Sequence, residues 1–558
     1  MLVRKQKQKQ KQKSSVLSLQ RGIKRSSSTD KKRRLTLGLI VGLFGFLLYS
    51  NTLSHNYVLD DFSAIKENNI VRQGIGAIPE IFKTSYRQGY LSVKDGLYRP
   101  LSLVTYAIEW NFFPDKPGVS HFVNVVLYGL TGILLFLTLC KLFERIGESE
   151  NRRIGEAFAF IASLLFIAHP LHVEVVANIK SRDEIVCFLF VICSFLFVFR
   201  FLERGQKKFL WLGVLTYFLS LLSKETSITF LALLPLALHF FSSASIRKNI
   251  SVTAFFLVVA VVYLFIRHSV LQGAMADDGI SIADNVIAGA KTFSTHVGTA
   301  FYILGLYVKQ LLFPHPLSYD YSFNHIPIVS LGNIFSIISL VFYIAIGSYA
   351  AIVLLKSFKK NTEYRIQNTE SKILSFGVLF FLIPIFLFSN LVLIIGTSMG
   401  DRLMYFPSLG FCIVVAVLLI KLLKIETIDL NSLTSTVKFI PVFIIVTLFG
   451  YKTYSRNADW KDNYTLYSHD VTIVPNSVKA HYYLGLELVK VVADVEQDAE
   501  KKKMRYEAGI SELEKAVKIH PTFSSAYTQM GVAYYRMKNY EKAIQNYNKA
   551  VELKPSDA

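Results

Sequence analysis

Eleven apolar runs constrain this chain more than anything else in it. They fall at 35–49, 121–143, 154–168, 184–201, 209–222, 228–241, 250–266, 331–355, 373–388, 403–419 and 437–450. Runs of this length and character reach across the hydrocarbon of a bilayer. Lipid offers a peptide group no hydrogen-bond partner, so an isolated apolar run of this kind crosses as a helix. Hydrophobic residues make up 52% of the chain and its mean hydropathy is +0.39, which excludes a soluble globular protein. The fold class expected is all-α: a polytopic transmembrane bundle of about 11 spans over 35–453, followed by a polar tail over 454–558.

Charge orients the bundle. The arm 1–34 repeats Lys-Gln and then Ser, buries nothing and is expected to be a disordered, basic cytoplasmic segment. Lysines and arginines recur in alternate loops, for instance Arg145, Arg152, Lys207, Lys208, Lys359 and Lys421. Positive loops stay cytoplasmic, which places the N-terminus inside and the tail outside. The net charge of +21 is explained by topology and implies no nucleic acid. The apolar run 293–313 holds His296 and Lys309, and a full crossing there would put the later basic loops outside. It is therefore expected to be re-entrant or interfacial. Cys140, Cys187, Cys193 and Cys412 lie in apolar runs, with neither disulfide nor metal spacing.

The tail is periodic. Gly509, Leu513, Ala516 and Pro521 recur as Ala543, Tyr547, Ala550 and Pro555, 34 residues on. Tyr527, Gly531 and Tyr534 fill the first helix of the later unit. This is the tetratricopeptide (TPR) period, which builds an α-solenoid of helix pairs. Gly485 precedes Gly531 by 46 residues, so an insertion of 12 is expected near 491–502.

With this topology the ionisable residues at helix ends collect on the outer side. They are Asp60, Asp61, Arg99, His169, His172 and Glu174, then Arg182, Lys224, Glu225, Asp401 and Arg402. Charge at membrane depth is costly and usually faces an internal site. Each residue also has a plain structural reading. Asp60-Asp61 can be a turn, His169 and His172 helix caps, Arg182 and Arg402 snorkelling side chains, and Lys224-Glu225 a local ion pair. The spacing His169-x-x-His172-x-Glu174 does not match a zinc helix, and Pro170 breaks the helix that would carry one. No metal and no cofactor are expected. Carboxylates beside arginines and a lysine at a membrane surface suit transfer of a sugar from a lipid phosphate. An Asp takes the proton of an incoming hydroxyl, and the cations hold the departing phosphate.

An acidic pair in the first outer loop of a many-span chain resembles the GT-C glycosyltransferases. The segments Tyr98-Arg99-Pro100-Leu101, Phe166 to Glu174, Ser223-Lys224-Glu225 and Asp401 to Ser408, with the TPR tail, resemble the transmembrane-and-TPR protein O-mannosyltransferases and their bacterial relatives. That resemblance implies transfer of mannose from a polyprenyl (dolichyl) phosphate to protein Ser or Thr hydroxyls. Asp60 and Asp61 match the acidic motif, so one of them is the expected base; Arg99, Lys224 and Arg402 match basic positions. The partners implied are membrane lipids, the lipid-phosphate sugar donor and a protein acceptor held by the repeats. The location implied is the bacterial inner membrane or the endoplasmic reticulum membrane, with the tail periplasmic or luminal. Two other readings stand beside this one, a membrane-anchored TPR scaffold and a transporter of a lipid-linked substrate.

Overall fold

The computed structural model describes residues 30–91, 94–144, 151–274, 280–358, 369–425 and 433–555. Most of the basic arm, 1–29, lies outside the described residues. Its last residues, 30–34, are already helical, which corrects the expectation of disorder there. The membrane part is built from α1 (Asp30–Ser54), α2 (Pro100–Phe112), α3 (Pro117–Phe143), α4 (Asn151–Ala168), α5 (Val173–Ala177), α6 (Arg182–Arg204) and α7 (Lys207–Ser223). It continues with α8 (Phe230–Phe241), α9 (Ile246–Leu271), α10 (Phe293–Leu312), α11 (Ile334–Ser357), α12 (Thr369–Leu387), α13 (Tyr405–Leu423) and α14 (Leu433–Asp459).

Each of the eleven apolar runs is helical over most of its length, but fewer than eleven helices have the length and composition of a full span. Among the described residues, eight helices are long and apolar enough to cross a membrane, or nine if the bent pair α4–α5 is one span. The difference is length. The helix α7 has 17 residues, and α8 with the turn before it covers only Glu225–Phe241. The run around 293–313 is one continuous helix, α10, and is not among the eight.

Burial separates a centre from a rim. The span of α13 is 72% buried and that of α6 is 67%, whereas α9 and α11 are 28% and 17%. The central helices share one apolar core with α3, α4 and α7. The helix α1 joins them by close approach: a Cβ on Gly42 would lie 2.8 Å from the Gly129 carbonyl of α3, and one on Gly129 would lie 2.9 Å from that of Gly42. Small residues at such crossings let backbones touch. This contact positions α1 and the loop that follows it.

Pro170 sets the other key geometry. It cannot donate an N–H to a continuing helix, and the chain bends by 55° between Arg153–Ala168 and Pro170–Ala177. The His169 Nδ1 accepts from the Leu171 N–H at 3.3 Å, and the Asn178 side chain caps the next turn by accepting from Ser181 at 3.3 Å. The connector 169–182 is buried throughout and underlies the polar end of the bundle.

The tail follows directly. The helix α14 runs on to Asp459, past position 453. Then come α15 (Asn463–Ile473), α16 (Val478–Glu487), α17 (Ala499–Ile519), α18 (Ser524–Arg536) and α19 (Tyr540–Leu553). The insertion near 491–502 is a π-helical turn at Leu488–Val492, a short helix at Ala493–Val495 and the first turn of the long α17. The tail is bolted to the bundle. Asp470 of α15 is fully buried and accepts from Arg456 Nη1 and Nη2 at 2.6 and 2.7 Å and from the Tyr319 N–H at 2.7 Å. Ser477 donates to Asp320 at 2.7 Å. An Asp470→Asn variant offers Arg456 one acceptor and one donor in place of two acceptors. It is expected to lose about 1–3 kcal/mol of docking, read as faster limited proteolysis between α14 and α16.

Candidate functional site

The site is built on the turn after α1. Asp61 N–H donates to the Val58 carbonyl at 3.0 Å, and the Val58 N–H donates to Asp61 Oδ2 at 2.9 Å. Leu59 sits at φ +50°, a left-handed value that a leucine adopts only when its surroundings hold it. The Leu59 N–H donates to Asn463 of α15 at 2.9 Å, so the tail is part of that support. Beyond this bend the two carboxylates face different ways.

Asp61 is fully buried. Its second oxygen accepts from the Lys180 N–H at 2.6 Å, tying the turn to the connector 119 residues away. Burial pushes its carboxyl up to about 7, against backbone N–H groups of Val58, Lys180 and Ile179 that favour the ionised form. Asp60 is the open one, its side chain 44% exposed. Burial also acts to raise its carboxyl, but the charges of Lys180, Arg402 and Arg87 outweigh this and hold it below the usual carboxylate value. Asp60 therefore stays ionised at neutral pH.

The sign of the Asp61 effect is testable. Its folded value lies above its unfolded value near 3.9. Its stabilising contribution is complete below about pH 4 and is lost as pH rises through about 7. Between pH 5 and 8 the loss is on the order of 2–3 kcal/mol. The wild-type melting temperature is expected to fall over that range, and Asp61→Asn, a neutral isostere, to flatten the slope.

From Asp60 an ion-pair chain runs into the bundle. Lys180 Nζ lies 3.8 Å from Asp60 Oδ2 and 3.7 Å from Asp183 Oδ2. Asp183, fully buried at the start of α6, also pairs with Arg99 at 2.7 Å and Lys224 at 3.6 Å. Arg99 clamps Glu225 with Nε at 2.9 Å and Nη2 at 2.5 Å, and Lys224 reaches Glu184 at 2.6 Å. Arg99 and Lys180 both lie 5.8 Å from the ring of Tyr86, whose buried hydroxyl has no hydrogen-bond partner among the described residues. At the rim, Arg402 Nη1 pairs with Glu174 at 2.5 Å while its N–H donates to the same carboxylate at 2.9 Å.

Asp60, Asp61, Arg99, Lys224, Glu225, Glu174 and Arg402 are thus brought to one end of the bundle, as expected from their positions. Three expected members lie beside this network without joining it. Arg182 is fully buried on the other flank of α6, where Glu109, Asn124, Thr105 and Ser120 take its guanidinium. His169 hydrogen-bonds the Leu311 carbonyl at 3.1 Å; His172 bridges Tyr128 and Ser408, each at 2.9 Å. These are cross-braces between helices, and neither imidazole is open to a ligand. Lys180, Asp183, Glu184 and Tyr86 were missed. The signal for the first three was charge density: four ionisable residues in the five positions 180–184, just ahead of an apolar helix.

A group of aromatic rings joins the loop after α10 to the tail. Tyr319, Tyr467 and Tyr483 form a row with ring centroids 5.3 and 5.7 Å apart, the second pair stacked. Burial raises the phenols of Tyr467 and Tyr483, and the negative charge of Asp60 adds to that rise.

Fold and site together define a multi-pass membrane protein with a buried ion-pair network at one end of its bundle and a TPR tail tied to the turn that carries Asp60. A family model described as tetratricopeptide repeat matches residues 524–557, and one described as Protein O-mannosyl-transferase TMTC, DUF1736 matches 279–347, which contains all of α10 and most of α11. Similar proteins carry the same enzyme name. Caenorhabditis elegans protein O-mannosyl-transferase F38B6.6 is 28% identical over 83% of this chain and 61% of its own length. Human TMTC3 is 25% identical over 93% of this chain and 55% of its own, and human TMTC1 is 25% identical over 87% and 55%. The chain is a distant homologue of the TMTC protein O-mannosyltransferases. It spans about half to three-fifths of the length of these relatives.

Proposed function

We propose that this protein is a membrane glycosyltransferase that moves mannose from a polyprenyl (dolichyl) phosphate to a Ser or Thr hydroxyl of a protein. The observation that carries this reading is the half-exposed, ionised Asp60 with Lys180 at 3.8 Å and Arg402 in its field, at the end of a lipid-facing bundle. The relatives named protein O-mannosyl-transferase support the choice of sugar and acceptor.

In this mechanism Asp60 accepts the proton of the acceptor hydroxyl as its oxygen attacks the anomeric carbon. The bond from that carbon to the phosphate oxygen breaks, and the configuration inverts. The lipid phosphate leaves with one more negative charge, which Lys180 and Arg402 stabilise. A bound phosphate also shares these cations with Asp60 and so raises its basicity when the donor is in place. Asp61 holds the turn and positions Asp60. Arg99, Lys224, Glu225 and Asp183 orient Lys180. The donor is a co-substrate, and the scheme uses no metal or cofactor. The repeats present the protein acceptor.

The proposed orientation places Asp60 and the tail in the lumen or periplasm and the N-terminus in the cytosol. It is supported by the basic residues at the opposite helix ends, among them Lys141, Lys207, Lys248, Lys356 and Lys421. A transporter would hold its polar groups near mid-span, whereas this cluster sits at helix ends. The test is transfer of radiolabel from polyprenyl-phosphate mannose to protein in membranes holding the full chain. Label in protein is the expected result. No transfer from this donor or from other polyprenyl-linked sugars would sink the reading and leave the tail as the working part, on a membrane scaffold.

A further inference from the structure

We propose that a cavity at the far end of the bundle from Asp60 binds a phosphate-bearing anion, with the headgroup of an anionic membrane lipid as its expected source. This inference does not depend on the transferase reading. The cavity has a volume of about 700 Å³ and lies among the start of α1, the end of α3, the start of α4 and the end of α6. The helix α6 has 23 residues and so spans about 35 Å. Its first turn holds Asp183 and its last holds Arg204, so the two sites are at opposite ends of one rod.

Among the described residues the charges in this cavity do not cancel. Glu156, 2% exposed, is bound by Arg33 at 2.9 Å and Arg34 at 3.1 Å. Arg34 and Lys141 also take Glu144, and Lys141 takes Glu203 at 2.7 Å. These pairs use up the acids on the walls except Asp30. Lys31, Arg153, Arg200 and Arg204 remain lining the cavity with no carboxylate partner among the described residues. Four cations around one open volume repel each other, and an anion placed between them relieves that repulsion. Two guanidiniums at the end of one helix, Arg200 and Arg204, lie four residues apart and so on one face; both suit phosphate oxygens, which arginine binds with paired N–H groups. Leu137 and Leu196 line the same cavity beside the charges. A ligand with an anionic head and an apolar body matches this division, and basic pockets between transmembrane helices are where such headgroups bind.

The experiment uses native mass spectrometry of the full chain in detergent, with phosphatidylglycerol, phosphatidylcholine or glycerol 3-phosphate added. The variant is Arg200→Ala/Arg204→Ala; neither residue holds a carboxylate among the described residues. Wild type is expected to retain phosphatidylglycerol in preference to phosphatidylcholine, and the variant to bind it about thirtyfold more weakly. Arg200→Lys/Arg204→Lys, which keeps the charge, is expected to recover most of that loss; this separates charge from folding. Displacement of the lipid by glycerol 3-phosphate at matched concentration would assign the cavity to a soluble phosphate. Failure of glycerol 3-phosphate to compete assigns it to the lipid. Equal retention of the two lipids by wild type, or wild-type retention by the alanine variant, overturns the proposal.

Discussion

Replacing Asp60 by asparagine is expected to lower sugar transfer by about 10²- to 10⁴-fold, the usual contribution of a positioned general base. The change is isosteric and the side chain is 44% exposed, so folding should be untouched. The loss should fall on turnover, with donor KM near wild type, because the amide still fills the space beside Lys180. Lys180→Ala should differ in its effect on KM. It removes a cation that meets the phosphate both before and after the bond breaks, so donor KM should rise along with a fall in turnover. Transfer by Asp60→Asn at the wild-type rate would remove this carboxylate from the chemistry.

The second large effect concerns stability. Asp183 is fully buried and is the common partner of Arg99, Lys180 and Lys224. Asp183→Asn leaves those three cations with one negative charge fewer in a place where water cannot replace it. Removing one partner from a buried ion pair costs about 3–5 kcal/mol. A drop in melting temperature in detergent and reduced yield at matched expression are the expected readouts. An unshifted melting curve would mean that the cations find other partners, and the network would then not be what holds α6, α7 and the turn before α2 together.

The helices were legible because a run of apolar residues in lipid has few alternatives. What the pattern hid was their unequal length: α7 and α8 fall short where Lys224 and Glu225 enter between them and end the apolar stretch. The repeats were legible from glycine and alanine spacing, since Gly485 and Gly509 are where two helices touch, a Cβ on the first lying 2.9 Å from the carbonyl of the second. The candidate site was legible only as a list of charges on one side. A dipeptide cannot show that Asp61 turns inward to an N–H 119 residues away while Asp60 turns outward; that depends on the left-handed Leu59. His169 and His172 looked like lining residues because their partners, Leu311, Tyr128 and Ser408, are far off in the chain. Lys180 and Asp183 stand directly before an apolar run whose length dominates the local pattern.

The bolted tail has a consequence for how an acceptor would be chosen. Tyr467 and Tyr483 stack within the field of Asp60, and Asp470, Ser477 and Asn463 tie α15 and α16 to the bundle. The repeats are thus not a bait on a flexible line. On the reading proposed above, a polypeptide gripped in their groove meets the reaction centre at a set offset, as cloth meets the needle of a machine. Modified hydroxyls would then fall at a constant number of residues from the gripped segment.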